Sequence, residues 1–564
     1  MYLGLQSMFF KYVWDHQDPL LAARTLSTKS LSLAGCRRDT AAFQAIVCST
    51  DPVVLTTSTE PLFWKAGPAL IGRIEATLDG PIPVQMQLIG LIPDDNGCPT
   101  SDVLLDQQVL YVEPGRLQQV WIECQLAADL PPDSYHGRVS LYTHTLFEDE
   151  RLQEECTFTL TVKDAVLPEP QAYKFYLDLW QHHSNIARKY QVERWSDEHF
   201  AILERYVQSL AQLGQKAATI IISEIPWAGQ YSFRDREPSD LFEYSMARVT
   251  KDSDGFHYDF SAVGRYIELA ERYGMAREIE LFGLLNVWQA EAGYGPIVEG
   301  YPDAARIRYY DTTTNTFKFM HQRAEVEAYI QAVAAYFAEQ GWSERVRVLA
   351  DEPADIEKFL EQWQFLHQLA PSFKLKVAIN HAEFLQQDIP GLHDAVPIIS
   401  CALQEHQRLI ERREGLPGTL LYYVCCVPQH PNTFLSSPAL ESRVIPWLAE
   451  RLGLDGFLRW SYTAWPDRPL EKISYRPSCW PAGDLCLVYP GARGKPLLSL
   501  RYKWLQRGIR DYELMQLAKA AGRSEWVDAL LQDVFRFQDA ESVRSFEEMY
   551  SLQLDDYDRV MQKW

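Results

Sequence analysis

The chain has 564 residues, 47% hydrophobic and 23% charged, an ordinary globular composition with enough length for large packed cores. A formal net charge of −22 excludes nucleic acid and anionic membrane as main partners, because both are polyanions. No apolar run reaches the ~18 residues of a membrane span, and the opening "MYLGLQSMFFKYVWDHQDPL" lacks the segments of a secretory signal, so a cytoplasmic location is expected.

Residues 1–168 read as a β-sandwich domain. Short alternating runs, "ALIGRIEATL", "VQMQLIGLI", "QQVWIECQL", "GRVSLYTHTL" and "CTFTLTVKD", are separated by the turn signals "DG", "DDNG", "EPG" and "PPDS". The stretch "VLPEPQAYK" at 166–174, with two prolines, reads as a linker.

From residue 173 to 498 the rhythm changes to strands alternating with helices. The eight strand candidates are 173–180, 216–223, 278–287, 345–351, 374–380, 396–402, 419–426 and 455–462. Among the helix candidates, "DEHFAILERYVQSLAQLG" and "AEVEAYIQAVAAYFAEQG" carry apolar residues at helical spacing and end in glycine. Eight such repeats predict a (β/α)8 TIM-type barrel. A doubly wound sheet would carry a glycine-rich phosphate turn after its first strand, and "QHHSNIARKY" stands there instead. Residues 499–564 read as a helical C-terminal segment packing on the barrel.

A barrel presents its chemistry at the strand ends. The fourth strand ends at Asp351 and Glu352, in "VRVLADEPADIEKF". Locally the pair suits two roles equally: a catalytic couple, or an acidic cap with Pro353 in the first turn of the next helix. The other strand ends supply Asp178, Trp180, His182, Glu224, Trp227, Asn286, Trp288, Asn380, His381, Tyr423, Trp460, Tyr462 and Trp465. Stacking rings mixed with hydrogen-bonding groups suit a neutral sugar, whose apolar face lies on an aromatic ring. The adjacent His182 and His183 lack helical metal-ligand spacing, and no C-x-x-C pair accompanies the ten cysteines. No metal or cofactor is expected, and the thiols read as reduced and mostly buried.

Adjacency constrains mechanism. Two-carboxylate glycosidases hold their groups ~5–5.5 Å or ~6.5–9.5 Å apart across the scissile bond. Neighbouring residues, ~3.8 Å apart at Cα, enter a pocket from one side. They fit substrate assistance better, where the sugar's 2-acetamido oxygen attacks the anomeric carbon. One carboxyl then protonates the leaving oxygen while the other holds the amide N–H. Two close carboxylates also raise one pKa, which keeps an acid protonated.

The set "LDLWQHH", "WSDEHF", "LADEP", "YYVCCVPQHPNTF", "GFLRWSYTAW", "WPAGDLCLVYPG" and "LRYKWLQRGIRDYEL" resembles glycoside hydrolase family 123 and relatives carrying the domain of unknown function 4091. The resemblance implies a retaining exo-acting β-N-acetylgalactosaminidase, with Glu352 as general acid/base and Asp351 orienting the acetamido group. It also implies a sugar subsite formed by Trp180, Trp288, Trp460 and Tyr462. Two positions depart from that pattern: Pro353 directly follows Glu352, and Thr463 stands where relatives often have Asn. The implied partner is an oligosaccharide or glycoconjugate. Two other readings stand beside it: a hydrolase of another sugar using Glu224 or Asp178 as a distant second carboxylate, and a non-catalytic carbohydrate-binding protein.

Overall fold

The computed structural model describes residues 1–14, 19–59, 70–145, 147–226, 242–285, 305–353, 355–386, 388–474 and 479–564. The N-terminal part is many-stranded. One sheet runs Tyr2–Ser7, Thr40–Cys48, Leu117–Gln125, Val84–Pro93, Pro99–Leu104 in spatial order. A second runs Ser30–Arg37, Arg151–Val166, Ser134–His144, Ile71–Leu78, Val53–Thr56, Val109–Val112. Their facing sides share one core, in which the Phe43 and Phe158 rings meet at 4.7 Å. A short helix, Pro19–Leu26, interrupts this otherwise β-rich region.

Strand Leu117–Gln125 is buried on both sides, and its period of two shows why. Val120, Ile122 and Cys124 enter the core between the sheets. Trp121 faces the other way and packs with Leu500 and Trp504 of the C-terminal helix Leu500–Ala520. That helix does not segregate polar from apolar residues because it is wedged between layers. Fifteen of its residues are buried, and Gly508 lies so close to helix Ala439–Leu452 that a Cβ there would sit 2.4 Å from the Arg443 carbonyl.

Eight parallel strands follow the linker: Tyr176–Leu179, Ala217–Ile221, Glu278–Phe282, Val346–Asp351, Lys374–Ile379, Leu392–Pro397, Leu421–Tyr423 and Gly456–Arg459. They fall in two sheets. The second to sixth lie side by side in chain order, and the first, eighth and seventh form the other sheet. Isolated parallel bridges Leu177↔Gln215, Ala395↔Leu420 and Ile398↔Tyr423 connect the edges of the two sheets.

The sixth strand differs from the expected 396–402. It ends at Pro397, and Ile399–Gln404 is helical. The run "VPIISCA" is apolar throughout, so its periodicity does not separate strand from buried helix. A four-stranded side sheet of Gly255–Asp259, Arg248–Asp252, Arg308–Asp311 and Thr316–Phe319 was also not expected. None of the ten cysteines is in a disulfide, and six are buried. Among the described residues no helix is long and apolar enough to cross a membrane.

Candidate active site

The fourth parallel strand is buried up to Ala350, and only Asp351 at its end opens to half-burial. Asp351 still pairs with Ala378 of the fifth strand. Glu352 donates its N–H to the Ala378 carbonyl at 3.0 Å but takes a φ of 48°. A left-handed conformation at a bulky residue costs about 1–3 kcal/mol, and such strain concentrates at functional sites. It breaks the chain out of the strand and leaves both acids at the strand's mouth. The next helix begins only at Ile356, and Asp355 caps it, accepting from the Lys358 N–H at 3.1 Å. The capping role therefore belongs to Asp355.

Glu352 gathers partners from two further strands. Tyr423, in the seventh strand, donates its hydroxyl to Oε1. That hydroxyl also lies 3.2 Å from Oδ1 of Asn380, at the end of the fifth strand, and the Asn380 side chain hydrogen-bonds Glu352 as well. Burial raises the Glu352 carboxyl above its ordinary value, and the bonds from Tyr423 and Asn380 oppose it. The Asp351 charge also reaches Tyr423, whose buried hydroxyl is held well above its usual range.

Beyond the eighth strand, Trp460 is half-buried. Its indole Nε1 donates to Oδ1 of Asp484 at 3.3 Å. Asp484 is fully buried and receives Arg459 Nη2 at 2.7 Å. Burial pushes its carboxyl up to about 6 against the pull of Arg459. Asp484 was missed in the sequence, although it is the lone acid in the apolar motif "WPAGDLCLVYPG". His182 is buried with its ring edge-on to Trp460 at 6.2 Å, and burial lowers its pKa to about 3, so it is neutral at ordinary pH. Cys425 and Cys426, next after the seventh strand, feel the charges of both Glu352 and Asp484.

The remaining candidates lie elsewhere. Asp178 is buried within the parallel layer, where Lys376 Nζ lies 2.5 Å from it, 2.8 Å from Glu278 and 2.8 Å from Glu280. These three carboxylates have metal-ligand spacing, but a tethered ammonium already occupies the position between them. Glu224 is clamped by Arg308, Nε to Oε1 and Nη2 to Oε2, both at 2.8 Å. Burial raises its carboxyl to about 7. It lines a separate cavity of 810 Å³ with Trp195, Tyr244 and Phe317. Trp180 is buried against Phe282. Tyr462 turns into the helical layer, its hydroxyl 2.7 Å from Ser209 Oγ. Trp465 is buried and donates to the Val488 carbonyl at 2.7 Å. His381 is exposed and pairs with Glu405 at 3.1 Å. Trp227, Asn286 and Trp288 lie outside the described residues.

The described site therefore brings together Asp351, Glu352, Asn380 and Tyr423, with Trp460, His182 and Asp484 forming a second cluster. A family model for the catalytic domain of glycoside hydrolase 123 matches residues 180–518. Among solved structures, a family 123 glycoside hydrolase from Clostridium perfringens, studied for glycolipid glycan hydrolysis, is similar over 100% of this chain and 97% of its own, with a TM-score of 0.75 at 18% identity. A β-D-glucuronidase from Dictyoglomus thermophilum aligns with 81% of this chain and 68% of its own at 10% identity, with a TM-score of only 0.31. No curated protein matches the chain. With more than half of the sequence inside the family model, the chain belongs to glycoside hydrolase family 123.

Proposed function

We propose that the protein is a retaining exo-glycosidase that removes terminal β-linked N-acetylhexosamine, N-acetylgalactosamine preferred, by substrate assistance. The observation that carries this reading is the pairing of Glu352, half-buried and bonded to Tyr423 and Asn380, with its immediate neighbour Asp351. The alternative of a distant second carboxylate is disfavoured, because Asp178 is bound by Lys376 and Glu224 by Arg308. Preference for N-acetylgalactosamine rests on the sequence resemblance alone.

In the proposed reaction the acetamido oxygen attacks C1 as the bond from C1 to the aglycone oxygen breaks. Glu352 gives its proton to that oxygen. Asp351 accepts the acetamido N–H and stabilises the developing oxazolinium charge. Water then attacks C1 from the opposite side, Glu352 takes its proton, and the C1–oxazolinium oxygen bond breaks. Two inversions give retention. Trp460 suits the role of a sugar platform, its edge fixed by Asp484. The eight parallel strands are read as one (β/α)8 barrel over 173–498, with the three isolated bridges supporting closure. Residues 1–168 are read as a buttressing sandwich and 499–564 as a helical segment packed on the barrel.

The test is release of nitrophenol from 4-nitrophenyl β-glycosides of N-acetylgalactosamine, N-acetylglucosamine and galactose. Turnover confined to the acetamido sugars is expected. Turnover of the galactoside at a similar rate would remove the acetamido group from the mechanism. Sugar binding that survives Glu352→Gln, with no turnover of any of the three, would favour the binding-protein reading.

A further inference from the structure

Immediately beyond Tyr423 the chain leaves its strand and bends at Cys425 and Cys426. Neighbouring side chains on a strand point to opposite faces. Here the bend turns both thiols the same way, and their sulfurs lie 3.9 Å apart. Both cysteines are half-buried, in contrast to the six buried ones. The bend is held on its flanks: Arg459 Nη1 donates to the Val424 carbonyl at 3.4 Å, and Asn432 Nδ2 to the Cys425 carbonyl at 3.0 Å. The contact between the two sulfurs lowers the Cys426 pKa below the ordinary thiol value and raises that of Cys425, and the Cys425 thiol also donates toward the Val427 carbonyl at 3.7 Å. Two half-buried thiols with sulfurs this close, one of them shifted toward its more nucleophilic form, have the make-up of a redox-responsive pair. Hydrolysis as proposed above uses neither sulfur.

We propose that Cys425 and Cys426 are a modification site for hydroperoxides, oxidised to a vicinal disulfide that turns hydrolysis down through Tyr423. The Cys426 thiolate attacks one peroxide oxygen; the S–O bond forms and the O–O bond breaks, and the departing hydroxide takes up a proton as water. Cys425 sulfur then attacks the sulfenic sulfur; the S–S bond forms and the S–O bond breaks. The second hydroxide leaves with the Cys425 proton, as water. Overall, two thiols and one hydrogen peroxide become one disulfide and two waters. The sulfurs must close from 3.9 Å to about 2.05 Å, which tightens the bend. Tyr423, two residues upstream, holds Glu352, so the bend transmits the change to the acid. A dithiol reductant reverses it. The effect on rate rests on the reading of Glu352 as the acid, whereas the sulfur chemistry does not.

The full-length protein is treated with a small excess of hydrogen peroxide, alkylated, digested and analysed by mass, with activity followed on the 4-nitrophenyl glycosides. Cys98 and Cys479, the other thiols that are not buried, serve as internal controls. The peptide carrying Cys425 and Cys426 is expected to lose two hydrogen masses before either control reacts. Activity falls about tenfold or more, short of the roughly 10²–10⁴ that full loss of a general acid costs, and dithiothreitol restores it. Cys425→Ser and Cys426→Ser variants keep their untreated activity and lose the reversible response. A peptide that retains both thiols, or goes to sulfinic acid without a disulfide, overturns the proposal. A disulfide that forms with activity unchanged overturns the coupling to Tyr423. If none of the glycosides is turned over, the mass measurement still decides the chemistry at sulfur.

Discussion

At the scale of single residues, the proposed chemistry depends on a proton kept on Glu352. Burial raises its carboxyl, and the Tyr423 and Asn380 bonds limit the rise. The protonated form is the acid, so kcat/KM is retained below the raised pKa and lost as pH climbs through it. Removing the Tyr423 hydroxyl takes away a bond that favours the carboxylate. Tyr423→Phe should therefore move the basic limb of the kcat/KM profile to higher pH. A lowered rate with an unmoved limb would reduce Tyr423 to packing. Glu352→Gln should cost on the order of 10²–10⁴ in kcat. The loss should be greater with an alkyl or sugar aglycone than with nitrophenol, which departs readily without a proton. Equal losses for all aglycones, measured by steady-state kinetics, would contradict an acid role.

At the scale of elements, one turn separates the pair from ordinary helix capping. Asp351 and Glu352 end a strand, Glu352 turns the chain at φ 48°, and Asp355 caps the helix that follows. Asp355→Ala should lower stability by about 0.5–2 kcal/mol in denaturant unfolding and leave kcat near the parent value; a collapse of kcat would mean that the cap, not the pair, controls the site. The strand ends were legible because each apolar run stops where a polar residue begins, as at "VLADE" and "KVAIN". The direction of each side chain was not. Tyr462 and Trp465 follow the eighth strand just as Trp460 does, yet they turn to Ser209 and Val488. Asp178 stands inside a strand, on the face that meets Lys376. Such choices depend on partners far away in the chain, which local periodicity does not record.

At the scale of the whole molecule, the N-terminal sheets and the parallel layer are joined by buried charges. Arg501 of the long C-terminal helix meets Asp102 at 2.9 Å and donates to the carbonyls of Thr433, Gly483 and Cys486. Arg507 reaches Asp39 at 2.6 Å, and Lys503 reaches Glu123 at 2.7 Å. Asp95 accepts from the Ala482 N–H at 2.8 Å, two residues before Asp484. The N-terminal sheets thus buttress the loop that positions Trp460. Asp102→Ala leaves Arg501 buried without its counter-ion and should cost about 3–5 kcal/mol, read as a lower denaturant midpoint. An unchanged midpoint would contradict a structural clamp. None of these pairings was legible in the sequence, since Asp39 and Arg507, or Asp102 and Arg501, are separated by most of the chain.

The central claim is that the substrate's own acetamido oxygen is the nucleophile. The most direct measurement compares kcat for 4-nitrophenyl β-glycosides of N-acetylgalactosamine whose acetyl methyl carries zero, one, two or three fluorines. Fluorine withdraws electrons from the amide oxygen while changing the sugar's shape little. Substrate assistance predicts that kcat falls steeply with each added fluorine. A kcat indifferent to fluorination would contradict it and return the search to an enzyme nucleophile.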